Sequence, residues 1–304
     1  VLARVMSYVA PPAWYHVAMG QAPKKSALVV TSAADYSDTE VVREFATGKD
    51  GTKVPLNILR RKGARLDGSN PTILYGYGGY GVSETPYFNA ARRVWLERGG
   101  VLVFANIRGG GEYGEAWHLA GNLTRKQTVF DDFIASAEYL VQRGYTRPDK
   151  LAIRGGSNGG LLMGAVMTQR PELFRAVSSS VGIYDMLRVE LDPNGAFNVT
   201  EFGTVKDKAQ FEALQAYSPF HRVKDGTSYP AVLMMTGDHD GRVNPAHSRK
   251  MIARLQAADP AGRPILLRTS GKAGHGIGTA LSETIEQITD EYAFLLHELG
   301  VPVE

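Results

Sequence analysis

An α/β fold, a mostly parallel, doubly wound sheet with helices on both faces, is predicted by three observations. From Pro71 onward, short apolar runs alternate with longer helical periods: Thr72 to Gly76, then Ala90 to Arg98, then Gly100 to Asn106. That is the pattern of βαβ units. Within Val129 to Arg143, residues Val129, Phe130, Phe133, Ile134, Ala137 and Leu140 form one broad helical face, with Asp131, Asp132 and Glu138 mostly off it. Third, the apolar run Lys150 to Arg154 ends in Gly155-Gly156-Ser157-Asn158-Gly159-Gly160 and passes at once into an apolar helical run, Leu161 to Gln169, stopped by Pro171. This reads as strand, tight turn and helix.

The other elements follow in order. Val1 to Val9, Ala13 to Met19, Ala27 to Thr31, Val41 to Ala46 and Lys53 to Arg60 are short runs of β character. Asp50-Gly51 lies between the last two, and both residues tolerate positive φ, so a hairpin is predicted there. Pro11-Pro12 and weaker alternation set the first stretch apart as an N-terminal β segment, residues 1–40. After the Ser157 helix the sequence predicts a strand over Ala176 to Val181, irregular chain over Leu191 to Asp207 and a helix over Ala209 to Tyr217. Ala231 to Thr236 and Pro264 to Thr269 are read as strands, Pro245 to Ala257 and Thr284 to Leu299 as helices. Asp131-Asp132 is read as a charge pair at a helix start.

Composition bounds the function. The chain has 304 residues, 43% hydrophobic and 21% charged, which fits a globular protein with a large core. Its formal charge of +3 is spread along the chain, so neither nucleic acid nor an anionic membrane surface is expected as a partner. Absence of cysteine excludes disulfides and thiol nucleophiles, and the seven histidines lack metal-ligand spacing. No metal or cofactor is predicted. No apolar run approaches the ~18 residues of a membrane span, and no leader-like segment opens the chain. The start at Val1 is read as a processed or trimmed chain, with the compartment, cytoplasmic or periplasmic, left open.

In doubly wound sheets, ligands sit at the carboxyl ends of strands, and four such places carry chemistry. Gly155, Ser157 and Gly159 fit G-x-S-x-G, where glycines let the backbone turn sharply enough to lift a serine hydroxyl above the sheet. Thr236-Gly237-Asp238-His239-Asp240-Gly241-Arg242-Val243 offers two aspartates able to orient a histidine, and spacing alone does not choose between them. Gly271-Lys272-Ala273-Gly274-His275-Gly276 offers that histidine. Serine, then acid, then histidine is the chain order of the α/β-hydrolase fold. The fourth place, Leu74 to Gly81, is glycine-rich and follows a strand where this fold builds half of its oxyanion hole, the other half being the backbone N–H of Asn158. The triplets Asn122-Leu123-Thr124 and Asn198-Val199-Thr200 match the glycosylation pattern but are assigned no function.

Five stretches together resemble the catalytic domain of the prolyl oligopeptidase family of serine peptidases: Leu74 to Tyr80, Ala105 to Gly114, Gly155 to Gly160, Asp238 to Val243 and Ala273 to Gly276. The resemblance spans roughly Val41 to Leu299 and implies an α/β-hydrolase catalytic domain over residues 41–304. It implies Ser157 as nucleophile, His275 as base and Asp240, rather than Asp238, as the acid. The oxyanion donors it implies are the Tyr77 hydroxyl and the Asn158 N–H. Arg242 would hold a substrate carbonyl, with Ile183, Asn198, Phe202 and Tyr80 as further substrate-binding residues.

Two departures qualify the substrate. Asn198 stands where the family places a tryptophan against a proline ring, which weakens the expectation of strict proline preference. The family also carries a β-propeller, and nothing upstream of Val41 is long enough to be one, although Val1 to Thr31 resembles the end of a last blade. Natural truncation, trimming and a shortened relative are the alternatives. The expected partner is therefore a short peptide or a small ester, and the face left uncovered is expected to support homo-oligomerisation. Three functions stay in play: a peptidase of prolyl oligopeptidase type, a carboxylesterase on the same triad, and a non-catalytic interaction module.

Overall fold

The computed structural model describes residues 1–276 and 278–302; the final residues of the predicted catalytic domain, 303 and 304, lie outside the described set. Strands β1 (Leu2–Val5), β2 (Ala13–His16) and β3 (Lys24–Val29) form a separate antiparallel sheet. This sheet leaves Leu2, Val5, Leu28 and Val29 exposed. Just beyond β1, Tyr8 is buried and stacks on Phe104 at 4.9 Å, which fastens the segment to the main body.

The main sheet contains β4 (Thr39–Thr47), β5 (Lys53–Arg61), β6 (Thr72–Tyr75), β7 (Val101–Ala105), β8 (Leu151–Gly156), β9 (Ala176–Ser180), β10 (Ala231–Gly237) and β11 (Ile265–Ser270). Their order is β11-β10-β9-β8-β6-β7-β5-β4. β4, β5 and β7 pair antiparallel, whereas β7, β6, β8, β9, β10 and β11 are parallel throughout. The β4–β5 hairpin turns where Asp50-Gly51 predicts it, with Gly51 at φ +87.

The helices are α1 (Arg92–Leu96), α2 (Glu115–Leu119), α3 (Gln127–Gln142), α4 (Asn158–Gln169), α5 (Gly195–Phe202), α6 (Lys208–Tyr217), α7 (Pro219–Arg222), α8 (Ala246–Ala258) and α9 (Leu281–Glu298). Side chains alternate across a strand, so each central strand feeds two cores. Val101, Val103 and Ala105 of β7 join Leu74, Ile153 and Val177 beneath α3, α4 and α8. Leu102 and Phe104 join Ile73 and Ala152 beneath α1 and α9 on the opposite face, where Trp95, Tyr292 and Leu295 are buried. A sheet covered on both faces accounts for the nearly continuous apolar character of β7 and β10.

Two expectations are corrected. Within the stretch expected to be irregular, Leu191 to Asp207, residues 195–202 form α5. Its inward residues Asn198, Glu201 and Phe202 keep helical spacing, but two of the three are polar and held by partners distant in sequence, so no apolar period marks the helix. Asp132 is also not part of a charge pair at a helix start. It lies within α3, fully buried, and its carboxylate accepts from Arg108 Nη2 at 2.6 Å and Nε at 2.8 Å. Arg108 also reaches Asp50 in the β4–β5 turn, which ties hairpin, β7 loop and α3 together. Removing one partner of a buried pair strands the other without compensation. Asp132→Asn is expected to lower the unfolding free energy by about 3 kcal/mol, measured by urea denaturation.

Candidate active site

The site lies at the carboxyl ends of β6, β8, β10 and β11. Ser157 joins β8 to α4 with φ +57 and ψ −118, a left-handed-side conformation that a residue with a side chain adopts only when its surroundings enforce it. Neighbouring glycines supply the room. A Cβ at Gly155 would fall 2.5 Å from the Gly159 carbonyl oxygen, and one at Gly159 would fall 2.8 Å from that of Gly76. The Ser157 N–H donates to Ser180 O at 2.9 Å, anchoring the elbow to β9. At the start of α4 the Asn158 N–H is among the amides that have no partner within the helix, and the helix dipole makes that end attractive to negative charge.

His275 and Asp240 are brought together from loops after β11 and β10. Nδ1–H of His275 donates to Asp240 Oδ2 at 2.7 Å, which leaves Nε2 as the free acceptor. Asp240 Oδ1 accepts the backbone N–H groups of Arg242 and Val243, both at 2.9 Å. Burial works against the charge on Asp240, but the hydrogen bonds from His275 and these amides outweigh it and hold the carboxyl below the usual carboxylate range. Asp238, the other candidate by spacing, is half exposed and accepts from Arg249 Nη2 at 2.7 Å. Geometry thus separates two aspartates that spacing left equivalent.

Ser157, His275 and Tyr77 open into one cavity of about 210 Å³. Burial pushes the Tyr77 phenol above its ordinary range, against a smaller opposing effect of the adjacent Ser157, so it stays neutral. The loop bearing Tyr77 is clamped at two successive carbonyls. Asn158 Nδ2 donates to Tyr77 O at 2.6 Å, and Lys126 Nζ donates to Gly78 O at 3.0 Å. Lys126 is fully buried and also pairs with Glu201 of α5 at 2.7 Å, while the other Glu201 oxygen meets His118 Nε2 at 2.7 Å. This buried pair couples the Tyr77 loop to the helix that forms the cavity's side.

Ile183, Tyr80, Asn198 and Arg242 all line the cavity. Tyr80 takes φ +56, and its hydroxyl donates to Asn198 Oδ1 at 2.8 Å, so Asn198 is engaged with the wall itself. Phe202 is a correction: it is fully buried behind Tyr80, ring to ring at 5.7 Å, and is not among the cavity walls. The aromatic wall that sequence reading missed is Phe197, exposed and stacked on Tyr80 at 5.8 Å with 12° between the rings. It sits one position before Asn198, where the helical turn of α5 aims it at the opening, and an isolated phenylalanine in a stretch read as irregular offers no signal of that direction.

Residues 86–302 match the model of the prolyl oligopeptidase family. The chain belongs to the prolyl oligopeptidase family. It is 44% identical over 298 residues to a prolyl endopeptidase of Elizabethkingia miricola, covering 97% of this chain and 42% of that one. A prolyl endopeptidase of Dictyostelium discoideum is 44% identical over 274 residues, covering 88% and 36%. Among solved structures, one from a study of two prolyl endopeptidases superposes with a TM-score of 0.95 at 46% identity, covering 98% of this chain and 44% of that one. A post-proline cleaving enzyme from Rickettsia typhi gives 0.91 at 36%, covering 99% and 43%. The chain therefore spans less than half the length of these prolyl oligopeptidase relatives, and its fold is that of their α/β-hydrolase catalytic domain. Among the described residues, no helix is long and apolar enough to cross a membrane.

The buried ion pair beneath the Tyr77 loop generates a specific expectation. Lys126→Met leaves Glu201 buried without its cation and is expected to cost about 3–5 kcal/mol of stability, measured by urea denaturation.

Proposed function

We propose that this chain is a serine hydrolase that cleaves peptide bonds, with a small cyclic or apolar residue on the acyl side, through an acyl-enzyme on Ser157. The single observation that carries this reading is the His275–Asp240 hydrogen bond of 2.7 Å opening onto the cavity that also holds Ser157 and Tyr77. His275 Nε2 takes the Ser157 proton as Oγ attacks the carbonyl carbon, and Asp240 holds the ring in the required tautomer and stabilises the imidazolium. Negative charge on the carbonyl oxygen is met by the Tyr77 hydroxyl and the Asn158 N–H. His275 then gives its proton to the leaving amine. Water attacks the acyl-enzyme with His275 again as base, and the acyl–Oγ bond breaks as His275 returns the proton to Ser157 and the acid leaves. Arg242 binds a carbonyl of the substrate chain.

The residue before the cleaved bond is assigned to the wall of Ile183, Tyr80 and Phe197. Phe197 offers a stacking face for a ring although Asn198 occupies the tryptophan position, so proline remains a fitting occupant. A carboxylesterase on the same triad is the second reading, favoured by the engagement of Asn198 with Tyr80, which leaves the inner wall without an aromatic ring at that position. Hydrolysis of a blocked Gly-Pro amide reporter and of p-nitrophenyl butyrate, each compared with Ser157→Ala, separates the two. The peptidase reading expects both activities to vanish in the variant and Tyr77→Phe to lower amide kcat by roughly a hundredfold. Ester turnover alone, equally dependent on Ser157, establishes the esterase; no Ser157-dependent turnover of either substrate refutes both.

Self-association is proposed through the three-stranded sheet, on the strength of its exposed Leu2, Val5, Leu28 and Val29. Sedimentation velocity is expected to show a concentration-dependent dimer that Val5→Lys abolishes.

A further inference from the structure

A second cavity, of about 270 Å³, lies beside the nucleophile elbow on the α1 and α9 side of the sheet. Its floor is Gly155 and Gly156 of β8 and Ser180 of β9, the backbone just before Ser157 and the residue that accepts the Ser157 N–H. Ser157 itself opens into the other cavity. Arg92 and Arg154 line the new one, and among the described residues no aspartate or glutamate does. Tyr75, Tyr87, Phe104 and Tyr292 supply the aromatic part of its remaining walls, and aliphatic side chains much of the rest.

Arg92 is the unusual group. It is 4% exposed, and its guanidinium lies over the rings of Tyr87 at 4.1 Å and Phe104 at 4.7 Å. Aromatic rings satisfy the faces of a guanidinium but not the N–H groups on its edge. On that edge Nη1 donates to Tyr87 O at 2.6 Å, whereas Nη2 is buried with no acceptor among the described residues. The surrounding carboxyls do not supply one. Glu291 is taken by Arg154 at 2.6 Å and by Ser178. Glu84, which feels Arg92 electrostatically, is pushed up to about 7 by burial and by Glu112, making it a weak counter-ion at neutral pH. A buried cation with an idle donor costs free energy that an incoming anion recovers.

We propose that this cavity binds an organic carboxylate on a small apolar or aromatic body, the carboxylate meeting the edge of Arg92 with Arg154 as second cation and the body lying among the tyrosines. A planar carboxylate suits a guanidinium edge, and aromatic walls of this extent favour an acid of about benzoate size over a bare inorganic anion. The same chemistry is available from a free small acid or from an acidic side chain of a polypeptide.

Calorimetric titration of the full chain with benzoate, its neutral counterpart benzamide, and the peptides acetyl-Phe-Glu-amide and acetyl-Phe-Gln-amide tests the assignment. Saturable binding of benzoate or of the Glu peptide is expected, with benzamide and the Gln peptide at least about tenfold weaker. Benzoate binding identifies a free acid as sufficient; binding of the Glu peptide alone identifies a polypeptide side chain as the source. Arg154→Gln is expected to weaken binding roughly tenfold. Tyr87→Ala, at a half-exposed wall where folding is not at stake, is expected to weaken it as well, while Arg242→Ala in the catalytic cavity leaves it unchanged. Absence of saturable binding by either acid, equal binding of the neutral probes, or binding lost in Arg242→Ala but kept in Arg154→Gln and Tyr87→Ala overturns the proposal.

Discussion

The conformation of Ser157 is the constraint from which the rest of the site follows. A serine at φ +57 is uphill by roughly 1–3 kcal/mol, and it persists only where its neighbours leave no alternative. Here β8 delivers the chain, α4 takes it away, and the Ser157 N–H is tied to β9. Gly155, Gly159 and Gly76 approach so closely that side chains at those positions would collide with backbone or packed rings. The close approach of the Tyr77 loop to the elbow is therefore a consequence of the same crowding. Asn158 uses that proximity, with its side chain holding the loop at Tyr77 O.

Around this elbow, polar groups are buried in connected sets. Lys126, Glu201 and His118 join the Tyr77 loop, α5 and α2, while Arg108, Asp132 and Asp50 join the β7 loop, α3 and the first hairpin. Such pairs contribute little net stability compared with apolar packing, yet each is satisfied in only one arrangement of its elements. That property suits a site whose donors come from separate loops. The second cavity differs in this respect: Arg92 has its faces covered and one edge unanswered, and it lies directly behind the strand that carries the elbow.

Much of the architecture was legible in the sequence because it rests on local patterns. The alternation of apolar runs and helical periods located the strands and helices of the main sheet, and Gly155 to Gly160 announced the elbow, since only glycine tolerates such close backbone approach. The chain order of Ser157, Asp240 and His275, with the motifs around them, named the family. What could not be read was whatever depends on partners distant in sequence. Helix α5 was hidden because its inward face is polar, held by Tyr80 and Lys126. Asp132 was read as part of a charge pair at a helix start because its arginine is 24 residues away in the chain.

The sequence by itself determined the fold class and the family, because these are written in hydrophobic period and in short motifs that act through adjacent backbone. Tertiary structure alone decided which groups share a space. It placed His275 Nδ1 within 2.7 Å of Asp240, put Phe197 rather than Phe202 on the cavity wall, and left Nη2 of Arg92 without an acceptor among the described residues. The reason is physical: hydrogen bonding, ring stacking and charge compensation depend on distances of a few ångströms between side chains, and those distances are set by packing across the sheet rather than by separation along the chain.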